Sequence, residues 1–141
     1  MTRRERIDEL HAVLQGVVGT HDFSGNTAKI LDLTPEMCPE WKAGMVIAAK
    51  SVVSYNGVKY YCPNGATAQA HFLPDGIGLE AVYKPYTDAS LKNWIYNEYV
   101  EAGWQRIDPN GKTYEVYNCT VLLNNLWQPS QLAANWRVVN G

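Results

Sequence analysis

The sequence contains no uninterrupted apolar stretch of the roughly 18 residues that a membrane-spanning helix needs. Its first residues, Thr2-Arg3-Arg4-Glu5-Arg6, lack the apolar segment of a secretory leader. Neither a membrane partner nor a secretory route is therefore expected. An excess of charge of one sign is also missing, since 12 Lys and Arg face 14 Asp and Glu. With no basic stripe, the counterion release that drives nucleic-acid binding has no source, and no nucleic-acid partner is expected. Cysteine is sparse: Cys38, Cys62 and Cys119 form an odd set with no CxxC pair. That argues against a disulfide framework and for folding in a reducing compartment. His11, His21 and His71 lie far apart and none stands at a ligand spacing from another His or Cys, so neither a metal nor any other cofactor is expected. Asn118-Cys119-Thr120 matches a glycosylation sequon, read as a chance match in the absence of a leader.

Catalytic constellations are absent as well. There is no Ser-His-Asp or Cys-His signature and no Gly-rich phosphate loop. Asp75, Glu80, Asp88, Glu98, Glu101, Asp108 and Glu115 are scattered through turns and strand-like runs, whereas glycoside hydrolysis requires two carboxylates held across a cleft. The chain is expected not to be an enzyme.

Aromatic rings with a polar edge are plentiful: nine Tyr and five Trp against two Phe. Such rings suit a recognition surface and equally a small core built around a few large side chains. At the N-terminus, Thr2 and Glu5 have the spacing of a capping box, and Arg4 with Asp8 form an i,i+4 opposite-charge pair. Ile7, Leu10, Leu14 and Val17 follow at the spacing of a helical seam, with Gly16 and Gly19 expected to close the helix. A helix of about 15 residues is marginal alone, so its stripe needs a partner. That partner is either the chain's own β-module or the same helix in other subunits of a homo-oligomer. Residues 27–33 have a short helical pattern, and Thr34-Pro35-Glu36 reads as a helix start.

The most informative pattern is self-similarity at a shift of 54 residues. Val46, Ala48, Val53, Asn56, Gly57, Tyr60 and Asn64 line up with Val100, Ala102, Ile107, Asn110, Gly111, Tyr114 and Asn118. Pro74 answers Pro129 and Trp41 answers Trp94 with a slip of one. This reads as a duplication. In each copy Asn-Gly predicts a type I′ hairpin turn between Lys50–Val53 and Val58–Cys62, and between Trp104–Ile107 and Lys112–Val116. A Pro-containing loop leads to a last strand, at Val82-Tyr83 in copy one and Trp136–Val139 in copy two. The fold class expected is mainly β with an N-terminal α-helix, as two small three-stranded antiparallel modules in tandem. The divisions are residues 1–25 for the helix, 26–88 for the connector and copy one, and 89–141 for copy two.

Gly103, Ile107, Asn110-Gly111, Tyr114, Trp127, Pro129 and Trp136 resemble the chitin-binding type 3 repeat, carbohydrate-binding module families 5 and 12. Copy one, with Trp41, Val53, Tyr55-Asn56-Gly57, Tyr60 and Pro74, is similar but degraded. Pro39-Glu40-Trp41-Lys42-Ala43-Gly44 resembles the lead-in to such modules on bacteriophage virion proteins, where a short helical segment commonly precedes them. The resemblance implies a non-catalytic fold that binds sugar through exposed rings, in a virion protein folded in the bacterial cytoplasm before assembly. It implies a core role for Tyr60, Tyr114 and Trp136, and a sugar-binding role for the lead-in residues Trp41 and Trp94. The family's aromatic pair after the hairpin Tyr is replaced by Asn64-Gly65 and Asn118-Cys119. Trp104, Tyr117 and Trp127 complete the candidate sugar-binding set, and Ile7, Leu10, Leu14 and Val17 the candidate oligomerisation set. Two functions follow. One is a glycan-binding accessory or structural protein of a phage particle, with cell-surface or cell-wall polysaccharide and other virion subunits as partners. The other is a purely structural virion component whose rings lie in subunit interfaces.

Overall fold

The computed structural model describes residues 1–23, 31, 37–119 and 122–139. Most of residues 27–36 fall outside that set, and with them the short helix and the helix start expected there. The chain opens with α1 (Arg3–Gly19). Its capping box is closed in both directions: Thr2 Oγ1 accepts from the Glu5 amide at 3.1 Å and Glu5 Oε2 from the Thr2 amide at 3.4 Å. Gly19 ends the helix where Pro39 crosses it. A Cβ on Gly19 would stand 2.9 Å from the Pro39 ring, so only glycine admits that approach. The other regular elements among the described residues are nearly all β-strands, which makes the protein mainly β with an N-terminal helix.

Two modules follow with the same plan. Module one pairs β1 (Val46–Ile47) with β4 (Ala66–Thr67), and orders β2 (Ser51–Tyr55), β3 (Val58–Cys62) and β5 (Lys84–Pro85) in one antiparallel sheet. Module two pairs β7 (Tyr99–Val100) with β10 (Leu123–Asn124), and β8 (Gln105–Ile107), β9 (Thr113–Val116) and β11 (Trp136–Val138) form the matching sheet. It gains a parallel edge strand, β6 (Lys92–Asn93), along β8. In module one only a single parallel bridge, Glu40 to Ser54, occupies that place.

Hydrogen bonds correct the internal alignment. Trp41 N–H donates to Ser54 O and Trp94 N–H to Ile107 O. Lys50 N–H donates to Cys62 O and Gly103 N–H to Val116 O, with both donors at positive φ. Gly44 and Asn97 likewise share a positive φ and donate to Ala68 O and Asn125 O. Before the hairpin the structural shift is therefore 53 (Trp41 to Trp94), not 54, and after it 54 (Tyr60 to Tyr114). The extra residue lies in the turn. Asn56-Gly57 is the expected two-residue type I′ turn, with φ of 49° and 77°. In module two Asp108 takes the place of Tyr55, and the ring of Pro109 after it fixes φ near −65°, which the positive φ of a type I′ turn excludes, so the loop opens. Gly111 N–H donates to Asp108 O, Lys112 O accepts from Asp108 N–H, and Gly111 takes φ of 87°. This is a type I turn with a glycine bulge, rather than type I′.

In the corrected register the partner of Trp136 is Tyr83, not Val82, and the closing strand of module one is Lys84–Pro85. Trp41, Tyr60 and Tyr83 centre the core of module one, where Trp41 Nε1 donates to Tyr83 Oη at 3.1 Å. Trp94, Tyr114 and Trp136 hold the same places in module two. There both large rings are indoles and neither supplies an acceptor, and both Nε1 groups are buried without a partner among the described residues.

The other face of the β2–β3 hairpin builds a second, larger core with module two. Val52, Tyr61, Tyr86, Trp104, Val116 and Trp136 pack there with Phe23, Leu31 and Cys38 from the connector. Tyr86 stacks on Trp104 at 5.8 Å and meets Tyr61 edge-on at 6.0 Å. Each such ring contributes on the order of 1.5–3 kcal/mol of burial. Burial pushes the Cys38 and Cys62 thiols up to about 11 and about 12, so both stay protonated and serve as small apolar side chains.

Where module one has Met45 and Val53, module two has Glu98 and Arg106, both with no exposed surface. Arg106 Nε donates to Glu98 Oε1 at 3.0 Å and Nη2 to Oε2 at 3.1 Å. Arg106 also donates to the carbonyls of Asp88, Ser90 and Gln105. Either single substitution, Arg106→Val or Glu98→Met, is expected to cost about 3–5 kcal/mol by leaving a buried charge unpaired. The double variant is expected to be less destabilised than the sum of the two. Urea unfolding followed by Trp fluorescence checks this, and strictly additive losses would contradict it.

Candidate binding surface

The five candidate sugar-stacking rings separate into three environments. Trp41 is 8% exposed and Trp104 5%, so neither presents a face to a ligand. Trp41 is enclosed by Tyr55, edge-on at 5.6 Å, and by its bond to Tyr83. Trp104 lies between Tyr86 and the Arg106 guanidinium, the latter 5.1 Å from its ring. These are corrections to the sequence reading: a large ring in such a small module is drawn inside because little else fills the space. Trp94 is half-buried. Tyr117 is 46% exposed, but its hydroxyl is tied to Ala133 O at 2.7 Å and Arg137 sits 5.8 Å from its ring. Trp127 is 61% exposed.

The loop that carries Trp127 is anchored on both sides. Asn125 Nδ2 donates to Ile95 O at 3.3 Å, and its backbone pairs with Asn97 and Glu98. Beyond Trp127, Pro129 is buried and opens a single 3₁₀ turn, and Ser130 N–H donates to Asp108 Oδ1 at 3.0 Å. Asp108 Oδ2 accepts from the Asn110 amide at 2.8 Å, so one buried carboxylate joins the hairpin tip to the Trp127 loop. Trp94, Asp108 and Pro109 also line a hollow of about 420 Å³ with Asn93. The half-buried indole and the tethered loop thus share the hairpin end of module two.

Tyr96 was not singled out from the sequence, yet it is 58% exposed and its ring lies 6.3 Å from that of Trp94. The signal available was its i+2 spacing from Trp94, which in extended chain puts two side chains on one side. The structure does not gather Tyr117 into this group: it sits beside Ala133–Arg137. Ile7, Leu10, Leu14 and Val17 are all exposed, between 40% and 60%, with Val13 beside them. Val18 packs against the main core, so the C-terminal end of the helix rests on the modules. No helix among the described residues is long and apolar enough to cross a membrane. No protein-family model matches the sequence, and no curated protein is similar to it.

Burial pushes the Asp108 carboxyl up, but the Asn110 and Ser130 hydrogen bonds outweigh it and hold it below the ordinary carboxylate value. A depressed folded-state value means stability that is complete above the unfolded value near 3.9 and lost as pH falls through the folded one. Asp108→Asn is therefore expected to cost roughly 1–3 kcal/mol at pH 7, with the difference from wild type shrinking below about pH 4. Thermal melts of both proteins across pH measure it. A pH-independent difference would mean that the charge is not what holds the loop.

Proposed function

We propose that the chain is a non-catalytic, carbohydrate-binding-module-like accessory or structural protein of a phage particle, and that it contacts surface glycan through the aromatic residues of module two. The observation that carries this reading is Trp127, an indole 61% exposed on a loop anchored on both sides. Stacking on a pyranose needs an open flat ring, and a ring whose loop is already ordered loses little freedom on binding. Trp94 and its adjacent hollow supply a second apolar surface at the same end, and Tyr117 a further half-open ring. The particle context rests on the resemblance of the modules and their lead-in to those of phage virion proteins. A glycan array with cell-wall polysaccharide pull-downs tests the reading on wild type and Trp127→Ala. Binding that falls by at least roughly tenfold in the variant, with unchanged thermal stability, is the expected result.

A second reading, a purely structural virion component, is favoured by a different observation. The apolar stripe of α1 lies open along its length while two of the five candidate rings are enclosed in the chain's own core. In this reading the stripe packs against the same helix of other copies, in a homo-oligomer. Light scattering at micromolar concentration is expected to give a multimer. Leu10→Asp with Leu14→Asp is expected to give a monomer whose β-modules melt as before. A monomeric wild type would remove the helix-bundle reading. A folded wild type that binds no glycan would leave only the structural role.

A further inference from the structure

A second hollow, of about 270 Å³, opens where the two modules meet. Tyr60 and Tyr83 form its inner wall, with rings 6.5 Å apart at 83°. Asp75 and Glu80 line it together with Tyr96 and Asn97 of module two. Asn97 is fully engaged: its Nδ2 donates to Glu80 O at 2.7 Å and its Oδ1 accepts from Lys84 Nζ at 2.9 Å. Lys84 also donates to Asn124, so the base beside the hollow is committed to the protein. The carboxylates of Asp75 and Glu80, both on exposed residues, have no hydrogen-bond partner among the described residues. Burial first, and the Asp75 charge after it, push the Tyr60 hydroxyl above its ordinary value, so it remains a phenol able to donate.

Tyr96 is the link. It borders this hollow, while Trp94, 6.3 Å away ring to ring, borders the one at the hairpin end of module two. Two concave sites therefore flank one pair of aromatic rings, separated by a distance of the order of a sugar unit along a chain.

We propose that the module junction is a second sugar subsite, continuous with the module-two surface across Tyr96, and that the ligand is a linear oligosaccharide whose junction residue is neutral or amine-bearing. This rests on the glycan reading above and extends it to ligand length and charge. Tyr96 offers the face for stacking. Asp75 and Glu80 accept from sugar hydroxyls or a protonated amine. The same two charges outnumber that of Lys84, no Lys, Arg or His is among the residues lining the hollow, and a uronate or a phosphate is therefore disfavoured there. Module one supplies most of the junction pocket.

Titration calorimetry on the full chain tests this. The probes are N-acetylglucosamine oligomers from dimer to hexamer, partly de-N-acetylated oligomers of equal length, and oligogalacturonate. Wild type is expected to gain roughly tenfold in affinity from dimer to tetramer, to favour the de-N-acetylated chains, and to ignore oligogalacturonate. Tyr96→Ala should remove the gain with length. Asp75→Asn with Glu80→Gln should abolish the preference for amine-bearing chains. Affinity independent of length, or unchanged in Tyr96→Ala, would overturn the junction subsite alone. If Trp127→Ala abolishes binding while Tyr96→Ala does nothing, the module-two site stands without this one. Binding of no probe to the folded wild type would overturn both.

Discussion

Arg106 and Glu98 meet with no surface exposed to solvent on either side chain. Removing both charges from water carries a cost of several kcal/mol per ion, which only near-complete hydrogen bonding offsets. That condition is met. The planar guanidinium spends two donors on the Glu98 carboxylate and the others on the carbonyls of Asp88, Ser90 and Gln105. Thr87 adds a hydroxyl to Glu98. One side chain thereby ties the segment between the modules to β8 and to the turn before β7. Its flat face covers Trp104, which stacks on Tyr86, which meets Tyr61 of module one. A lysine has neither the fork nor the flat face for these contacts. The spatial relation of the two modules, and the hollow between them, depend on this arrangement.

The duplicated frame shows how one backbone plan tolerates different centres. Module one closes its core with apolar Met45 and Val53 and with a Trp41–Tyr83 hydrogen bond. Module two places an ion pair at the first location and two indoles at the second, where both ring N–H groups remain without a partner among the described residues. The strand pairings nevertheless coincide, because the ladder bonds and the positive-φ turns at Gly44 and Asn97, and at Lys50 and Gly103, fix the backbone independently of the side chains inside it. Divergence is felt at the surface. Module two gains the β6 edge, the wider hairpin and the tethered Trp127 loop. Module one becomes a hairpin buried on both faces, Val53 and Tyr60 towards its own core and Val52 and Tyr61 towards its neighbour.

Two surfaces of the molecule therefore differ in physical character. The helix carries an open apolar stripe suited to other protein, whereas the hairpin end of module two carries rings and hollows suited to a flat, partly polar ligand. In the proposed reading, where the chain both assembles and binds glycan, the two roles use different surfaces, since a ring buried in an interface is lost to a ligand.

Much of the local structure was readable from residue type alone, because it depends on neighbours in the chain. Thr2 and Glu5 form the capping box, Asn56-Gly57 the tight turn, and the alternation around it a hairpin. Pro109 already carried the reason why the second turn is wider. Long-range features were not readable in the same way. Trp41, Trp104 and Trp127 are one residue type in similar surroundings along the chain, yet two are enclosed and one is open. What decides is which ring meets Tyr83, which meets Tyr86 and Arg106, and which stands on an anchored loop. The register of the repeat was likewise hidden, since a one-residue slip leaves nearly as many matching letters as the true alignment, and only hydrogen bonds distinguish them. The sequence by itself determined the helix, the hairpins and the duplication. The tertiary structure decided which aromatic rings face water, because exposure depends on partners about 40 residues away, as Trp41 and Tyr83 show, and not on the identity of the ring.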